Sequence, residues 1–406
     1  MTRQGRSEFL AFVAAATATI AISIDAMLPA FGDVREHFGL DESSSSAALI
    51  ITVFMAGLGV GQIVYGPLAD RFGRKPVFVA ALGLYVVAGL ATTVAPSLPA
   101  VLVGRFVWGL GAAGPRVVAQ AILRDRFRGD ELARAMAVIM TVFLIVPTLA
   151  PAIGQAVLQL GSWRFTFAVG PVFGLVVLAW STRLEETLDP ADRSPLDVGT
   201  IGRTVAEVVR TRTAITNAVA LLALAAAFFP YLASSERMYG EIYDRESQFF
   251  LWFAATSVVM AAVTLTTARV VARLGTHRTL SGALALLLVV AVTNVLITIR
   301  AEGVPAFPVF FVVTTLLVSL NTALTPLLNS RALDDVGHIA GTAASTIGAI
   351  SFVGASLLSP LVDGAIVDTV TPFAVGYLVA TSVAIAAVAA SGRVRPPAPA
   401  GTLADA

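Results

Sequence analysis

The sequence predicts an all-helical integral membrane protein of twelve spans, arranged as two pseudo-symmetric six-helix bundles. Three observations carry this. The chain is 57% apolar and only 13% charged, with a mean hydropathy of +0.84, more nonpolar surface than a soluble core hides. Its apolar runs recur at lengths that cross a ~30 Å hydrocarbon core as helices. The charges between the runs alternate in character from one loop to the next, as positive-inside topology requires.

The runs are, in order, 8–31, 47–68, 76–95, 98–122, 134–158 and 164–182, then 213–234, 248–271, 279–299, 305–328, 340–362 and 371–391. The opening run from Phe9 to Phe31 is too long for the apolar part of a cleaved leader and is expected to be the first span. The domain reading is residues 1–182 as one bundle, 183–212 as a cytoplasmic linker, 213–391 as a second bundle and 392–406 as a disordered cytoplasmic tail. The linker carries Pro190, Pro195 and many charges, with one surface helix expected over 198–210. The tail is rich in Pro and Ala and cannot bury enough to fold.

Loop charge sets the orientation. Arg3, Arg6, Arg71, Arg74, Lys75, Arg124, Arg126, Arg128, Arg183, Arg269, Arg273, Arg278 and Arg331 fall on one side. The other side has few arginines, Arg35 and Arg164 among them, and many acids, including Asp33, Glu36, Asp41, Glu42, Glu241, Asp244, Glu246 and Glu302. Both termini are therefore expected in the cytoplasm.

Between the second and third runs lies Gly66-Pro-Leu-Ala-Asp70-Arg71-Phe-Gly73-Arg74-Lys75-Pro76. It reads as a charged turn at the membrane surface, its glycines allowing close approach and a tight turn. Any polytopic protein needs basic turns, so the charges alone imply topology only. The full string, however, resembles the signature of the Major Facilitator Superfamily between its second and third helices. A weaker copy, Arg269-Val-Val-Ala-Arg273-Leu-Gly275-Thr-His-Arg278, occupies the equivalent place in the second half.

Ionisable residues inside spans are costly and default to functional hypotheses. Asp25 falls in the first span and Arg105 and Arg116 in the fourth. By helix rise Asp25 lies ~9 Å and Arg105 ~10 Å below the outer surface, so the two can pair. Arg105, Trp108 and Arg116 share one face of the fourth helix, which suits a cavity lining. An Asp25–Arg105 pair reads in two ways, as a structural tie between helices or as a carboxylate whose proton affinity follows the position of the arginine. Glu236 reads as an interfacial residue in an acidic loop. The fifth span holds Pro147, Pro151 and Gly154, which predict a kinked helix.

Further strings deepen the resemblance. Ser23-Ile-Asp25-Ala-Met-Leu-Pro29 is similar to the helix-one signature of the Bcr/CflA drug-resistance group, with Met27 in place of the usual aromatic. Arg105-Phe-Val-Trp108-Gly109 resembles the superfamily's helix-four motif, with Trp108 in place of Gln. Pro147, Pro151 and Gly154 resemble the helix-five antiporter motif, with Gln155 where a second Gly is common. Arg124-Asp125 and Trp163-Arg164 also match, and the likeness is dense over 20–170 and thin beyond, where Ala340-Gly341-Thr342-Ala343 matches best.

The resemblance implies a proton-coupled antiporter in the bacterial cytoplasmic (inner) membrane, exporting small amphipathic drugs or metabolites. Asp25 would carry the proton; Arg105, Arg116 and Trp108 would line the cavity; Gly66, Asp70, Arg71, Gly73, Arg74 and Lys75 would gate its cytoplasmic mouth. Its partners would be substrate, protons and lipid, without nucleic acid, in a monomer. The proton gradient would be its energy source, with no cofactor. A rival is transport of an organic anion held by Arg105 and Arg116, and a remote one a non-transporting sensor, for which the chain supplies no signalling domain. Enzyme signals are missing: the sequence has no P-loop, no G-x-S-x-G and no H-E-x-x-H. It has no Cys, and His37, His277 and His338 read as surface residues, so no metal is expected.

Overall fold

A computed structural model describes residues 5–40, 46–193 and 198–391. The first half contains α1 (Arg6–Asp25), α2 (Phe31–His37), α3 (Leu49–Phe72), α4 (Arg74–Thr93), α5 (Leu98–Arg126), α6 (Gly129–Leu158) and α7 (Trp163–Trp180). A short helix, α8 (Val198–Arg210), precedes α9 (Arg212–Arg237), α10 (Phe249–Leu274), α11 (Thr276–Arg300), α12 (Phe307–Ala332), α13 (Ala340–Asp363) and α14 (Thr371–Ala390). Among the described residues, eleven helical segments are long and apolar enough to cross a membrane, with α1 and α2 counted as one. The twelfth is α6, whose apolar part is Ile145–Leu158. The tail expected over 392–406 lies outside the described residues.

The packing repeats. In the first half α1 lies on α5, α6 and α7, α3 on α4 and α5, and α4 on α5 and α7. The second half copies this arrangement: α9 lies on α12, α13 and α14, α10 on α11 and α12, and α11 on α12 and α14. The seams between the halves are related in the same way, α3 against α13 and α6 against α10. The α3–α13 seam is close along its length. A Cβ on Gly59 would lie 2.9 Å from Val353, and one on Gly66 would lie 3.8 Å from the Ser345 hydroxyl.

Two corrections concern boundaries. The charged string Gly66–Phe72 is helical, forming the last turns of α3, and only Gly73 breaks the path into α4. The helix runs on because its polar residues project beyond the apolar slab, where Asp70 pairs with Arg74 across the break. Gly73 has φ +101° and Gly275, between α10 and α11, has φ +79°. Both glycines take the positive φ that other residues avoid, so the two halves turn in the same way.

The first span is also interrupted. α1 stops at Asp25, and a 3-10 turn over Leu28–Ala30 leads into α2. Pro29 has no N–H to give the carbonyl of Asp25, four residues back, so the helix ends there. The span then continues to His37. Asp25 therefore lies about twelve residues, or ~18 Å, from its far end, deeper than a continuous helix ending at Phe31 allows.

Candidate transport site

Asp25 ends α1 and is 4% exposed. No hydrogen bond or ion pair reaches its carboxylate among the described residues. The expected partnership with Arg105 is not made. Arg105 is fully buried; its Nε donates to the carbonyl of Ile50 at 3.1 Å and its Nη1 to the carbonyl of Ser23 at 3.1 Å. Its guanidinium lies 4.2 Å from the ring centre of Phe54 and 4.7 Å from that of Trp108. The reason is local. Where α1 ends, its last carbonyls lose their helical donors, and a cation is a favourable partner for a helix C-terminus. Arg105 fills that place two residues before Asp25.

Trp108 is 1% exposed, with its ring edge-on to Phe54 at 6.0 Å and to Tyr85 at 5.7 Å. Tyr85 and Ser23 share a 2.5 Å hydrogen bond, and Tyr85 also donates to the Thr19 carbonyl at 3.2 Å. Arg105 and Trp108 therefore belong to the interior of the first half, between α1, α3, α4 and α5, and do not line a cavity between the halves. Arg116, three turns along α5, does face the other half: its guanidinium lies 5.6 Å from the ring of Phe352 on α13. It has no acidic partner among the described residues.

In α6 the helix continues through Pro147 and Pro151. Gly154 meets the break in the first span; a Cβ there would lie 1.9 Å from the carbonyl oxygen of Ala26. Gly154 thus lets α6 sit hard against the chain immediately after Asp25.

The Gly66–Lys75 string is held by a polar network within the first half. Arg74 pairs with Asp70 and, at 3.1 Å, with Asp125 at the end of α5. Sequence reasoning missed Glu186. Its carboxylate accepts the backbone N–H of Arg74 at 2.9 Å and of Lys75 at 3.1 Å, capping α4 from the start of the linker. Lys75 reaches the carbonyl of Thr182 at 3.2 Å, while Arg71 is exposed. Capping by a residue more than a hundred positions away leaves no local sequence signal.

The opposite end of the bundle holds a second missed group. Arg35, expected on a loop, is buried in α2. Glu236, expected in an acidic loop, is buried in the last turn of α9. They meet across the halves, with Arg35 donating to both carboxylate oxygens of Glu236 at 3.1–3.2 Å and also to Glu241. Beside them is a cavity of about 240 Å³ lined by Pro29, Gln155, Leu158, Glu236 and Glu246, among others. His37, His277 and His338 are all exposed, and no cluster of metal-binding side chains occurs among the described residues.

Comparison with known proteins agrees with this architecture. A family model described as Major Facilitator Superfamily matches residues 10–359. An uncharacterised MFS-type transporter of Bacillus subtilis, YdgK, is 27% identical over 84% of this chain and 85% of its own. A bicyclomycin resistance protein homolog of Haemophilus influenzae is 28% identical over 89% of this chain and 90% of its own. The crystal structure of a D-xylose-proton symporter superposes with a TM-score of 0.72 at 13% identity, covering 93% of this chain and 97% of that one. With paired seams, repeated glycine turns and a family match across most of its length, this multi-pass membrane chain belongs to the Major Facilitator Superfamily and is a transporter, not an enzyme.

Proposed function

We propose that the chain is a proton-coupled exporter of small amphipathic drugs or metabolites, acting in the bacterial cytoplasmic membrane with both termini inside. The observation that carries this is Asp25, a buried carboxylate with no cation partner among the described residues, seated where the first span breaks and Gly154 of α6 packs against Ala26. A carboxylate desolvated there holds its charge only at a cost, so it takes a proton readily when one side opens and gives it up when substrate or water arrives. Arg105 supports the site by holding the helix end that presents Asp25. Relatives named for bicyclomycin resistance and, over 39% of this chain, for multidrug resistance support the substrate class. On this reading the two bundles, 1–182 and 213–391, rock about the seams, and the 183–212 linker joins them. Asp70, Arg71, Arg74 and Lys75, with Gly66 and Gly73, secure the cytoplasmic mouth. The proton gradient alone drives the cycle, in a monomer within lipid, without cofactor, metal or nucleic acid.

The test is proton release from detergent-purified protein on adding candidate drugs, wild type beside Asp25→Asn. Release by the wild type and its loss in the variant is the expected result. Equal release from both removes Asp25 from the coupling role. One observation favours a second reading: Arg116 is a cation facing the other half without an acidic partner among the described residues, which suits an organic anion. Arg105 does not contribute to that reading, because it is fully buried inside the first half, where its Nε and Nη1 are held by backbone carbonyls. Binding of organic anions that Arg116→Gln abolishes, with no drug-driven proton release, would decide for it.

A further inference from the structure

The ion pairs at the far end of the bundle have no part in the coupling just described. Arg35 comes from α2 in the first half. Glu236 lies in the last turn of α9 in the second, and Glu241 lies in the π-helical turn Met238–Ile242 that follows. The Arg35 side chain is 9% exposed, that of Glu236 5% and that of Glu241 36%. The second half braces its carboxylates: Arg237 reaches Glu241 at 3.2 Å and donates to the Ile366 carbonyl at 3.0 Å. Glu246 approaches the same spot, since a Cβ on Gly32 would lie 3.7 Å from Glu236 Oε1 and 3.8 Å from Glu246 Oε1.

The π turn explains how one guanidinium meets both acids. On a regular α-helix, residues five apart are rotated by ~140°, so side chains at 236 and 241 would diverge. The wider i→i+5 turn brings them near the same face. Such turns recur at functional sites.

We propose that Arg35, Glu236 and Glu241 form an ionic clamp that locks the far end of the transporter shut, and that the π turn exists to set its two carboxylates on one cation. Rocking between the halves must break this clamp, because its partners sit on opposite sides of the interface. Breaking it without hydration would strand buried charges, so the clamp parts only as water enters, which makes closure all-or-none. The clamp needs only rocking of the halves; that its end faces outward rests on the proposed function.

The chain has no Cys, so spin labels at Leu160→Cys and Asp368→Cys, exposed far-end positions in the two halves, report on this end alone. Distances are measured in lipid nanodiscs, without drug or proton gradient. In the parent chain the short, closed population dominates. Arg35→Gln raises the ratio of long to short distances by ~10-fold or more, because it removes the only cation among the described residues that crosses between the halves in this cluster and leaves the buried Glu236 carboxylate without it. Arg35→Glu combined with Glu236→Arg keeps the same three charges and restores the short population. Glu241→Gln shifts the ratio in the same direction by less. Unchanged distances in Arg35→Gln, or failure of the exchanged pair to restore them, overturn the clamp. No shift in Glu241→Gln overturns the role of the π turn. If drug-driven proton release is absent while the distances respond, the exporter reading fails and the clamp stands. Release that persists with unresponsive distances sinks the clamp alone.

Discussion

At the scale of single residues, Arg105 shows how chemistry and position divide. Its charge and depth were legible in the sequence; its partner was not. Asp25 was the obvious counter-ion by depth, yet the guanidinium goes to the carbonyls of Ser23 and Ile50. The reason lies in Pro29, which ends α1 and frees backbone acceptors nearby. A residue holding backbone together predicts a stability phenotype. Arg105→Ala should lower stability by about 2–4 kcal/mol, since it orphans buried carbonyls and leaves a void beside Phe54 and Trp108. Arg105→Lys should recover only part of this, because an ammonium lacks the planar fork that spans both acceptors. Thermal unfolding of purified variants in detergent checks both. If instead Arg105→Ala left the melting temperature unchanged and altered only substrate preference, Arg105 would be a substrate ligand and not a clamp on α1. Glu236 and Arg35 carry the opposite lesson. Both stand at the polar edge of an apolar run, where a sequence cannot distinguish a solvated rim from a buried contact made across two hundred residues.

Whole elements were largely legible, because a span is a statement about length and polarity that one chain makes by itself. What was not legible was how elements lean on one another. Glycines recurring inside the apolar helices α3 and α5 suit close helix packing, but their partners come only from the fold. A Cβ on Gly57 would lie 2.1 Å from the Phe106 carbonyl oxygen, and one on Gly109 2.0 Å from that of Phe54. Gly109→Ala should therefore cost about 1–3 kcal/mol by forcing α3 and α5 apart. Gly83, with nothing within 4 Å of the equivalent position, should behave differently. Gly83→Ala should be neutral or stabilising by up to ~1 kcal/mol through helix propensity. The contrast is read from the midpoints of thermal unfolding, and equal effects at the two sites would refute the packing account. Gly154→Ala belongs to the same class. Its Cβ would strike the Ala26 carbonyl, so it should damage transport as well as stability, by moving α6 off the break that presents Asp25.

At the scale of the molecule, the two-fold relation ties the site to the cycle. The turn at Gly275 repeats the turn at Gly73, and the seams α3–α13 and α6–α10 exchange under the same relation. The sequence carried only a basic–Leu–Gly–basic trace of this, because backbone conformation persists where side chains have diverged. The halves touch at the far end through the Arg35 clamp and near the Gly66–Lys75 end through α3 and α13. If transport proceeds by rocking, the second contact must part in turn. Gly66 and Ser345 offer a direct test. A Cβ at 66 would sit 3.8 Å from the Ser345 hydroxyl, the place a cysteine sulfur at 345 would take, within reach of a sulfur carried on that Cβ. Gly66→Cys with Ser345→Cys, the only thiols in the chain, should therefore cross-link under mild oxidation. Transport into or out of proteoliposomes should stop on oxidation and return with reductant, while either single variant ignores the oxidant. A cross-linked pair that still transports would mean that this part of the seam is a pivot. The mouth at the Gly66–Lys75 end would then have to open elsewhere, and the network around Arg74, Asp125 and Glu186 would brace the first half and not gate it.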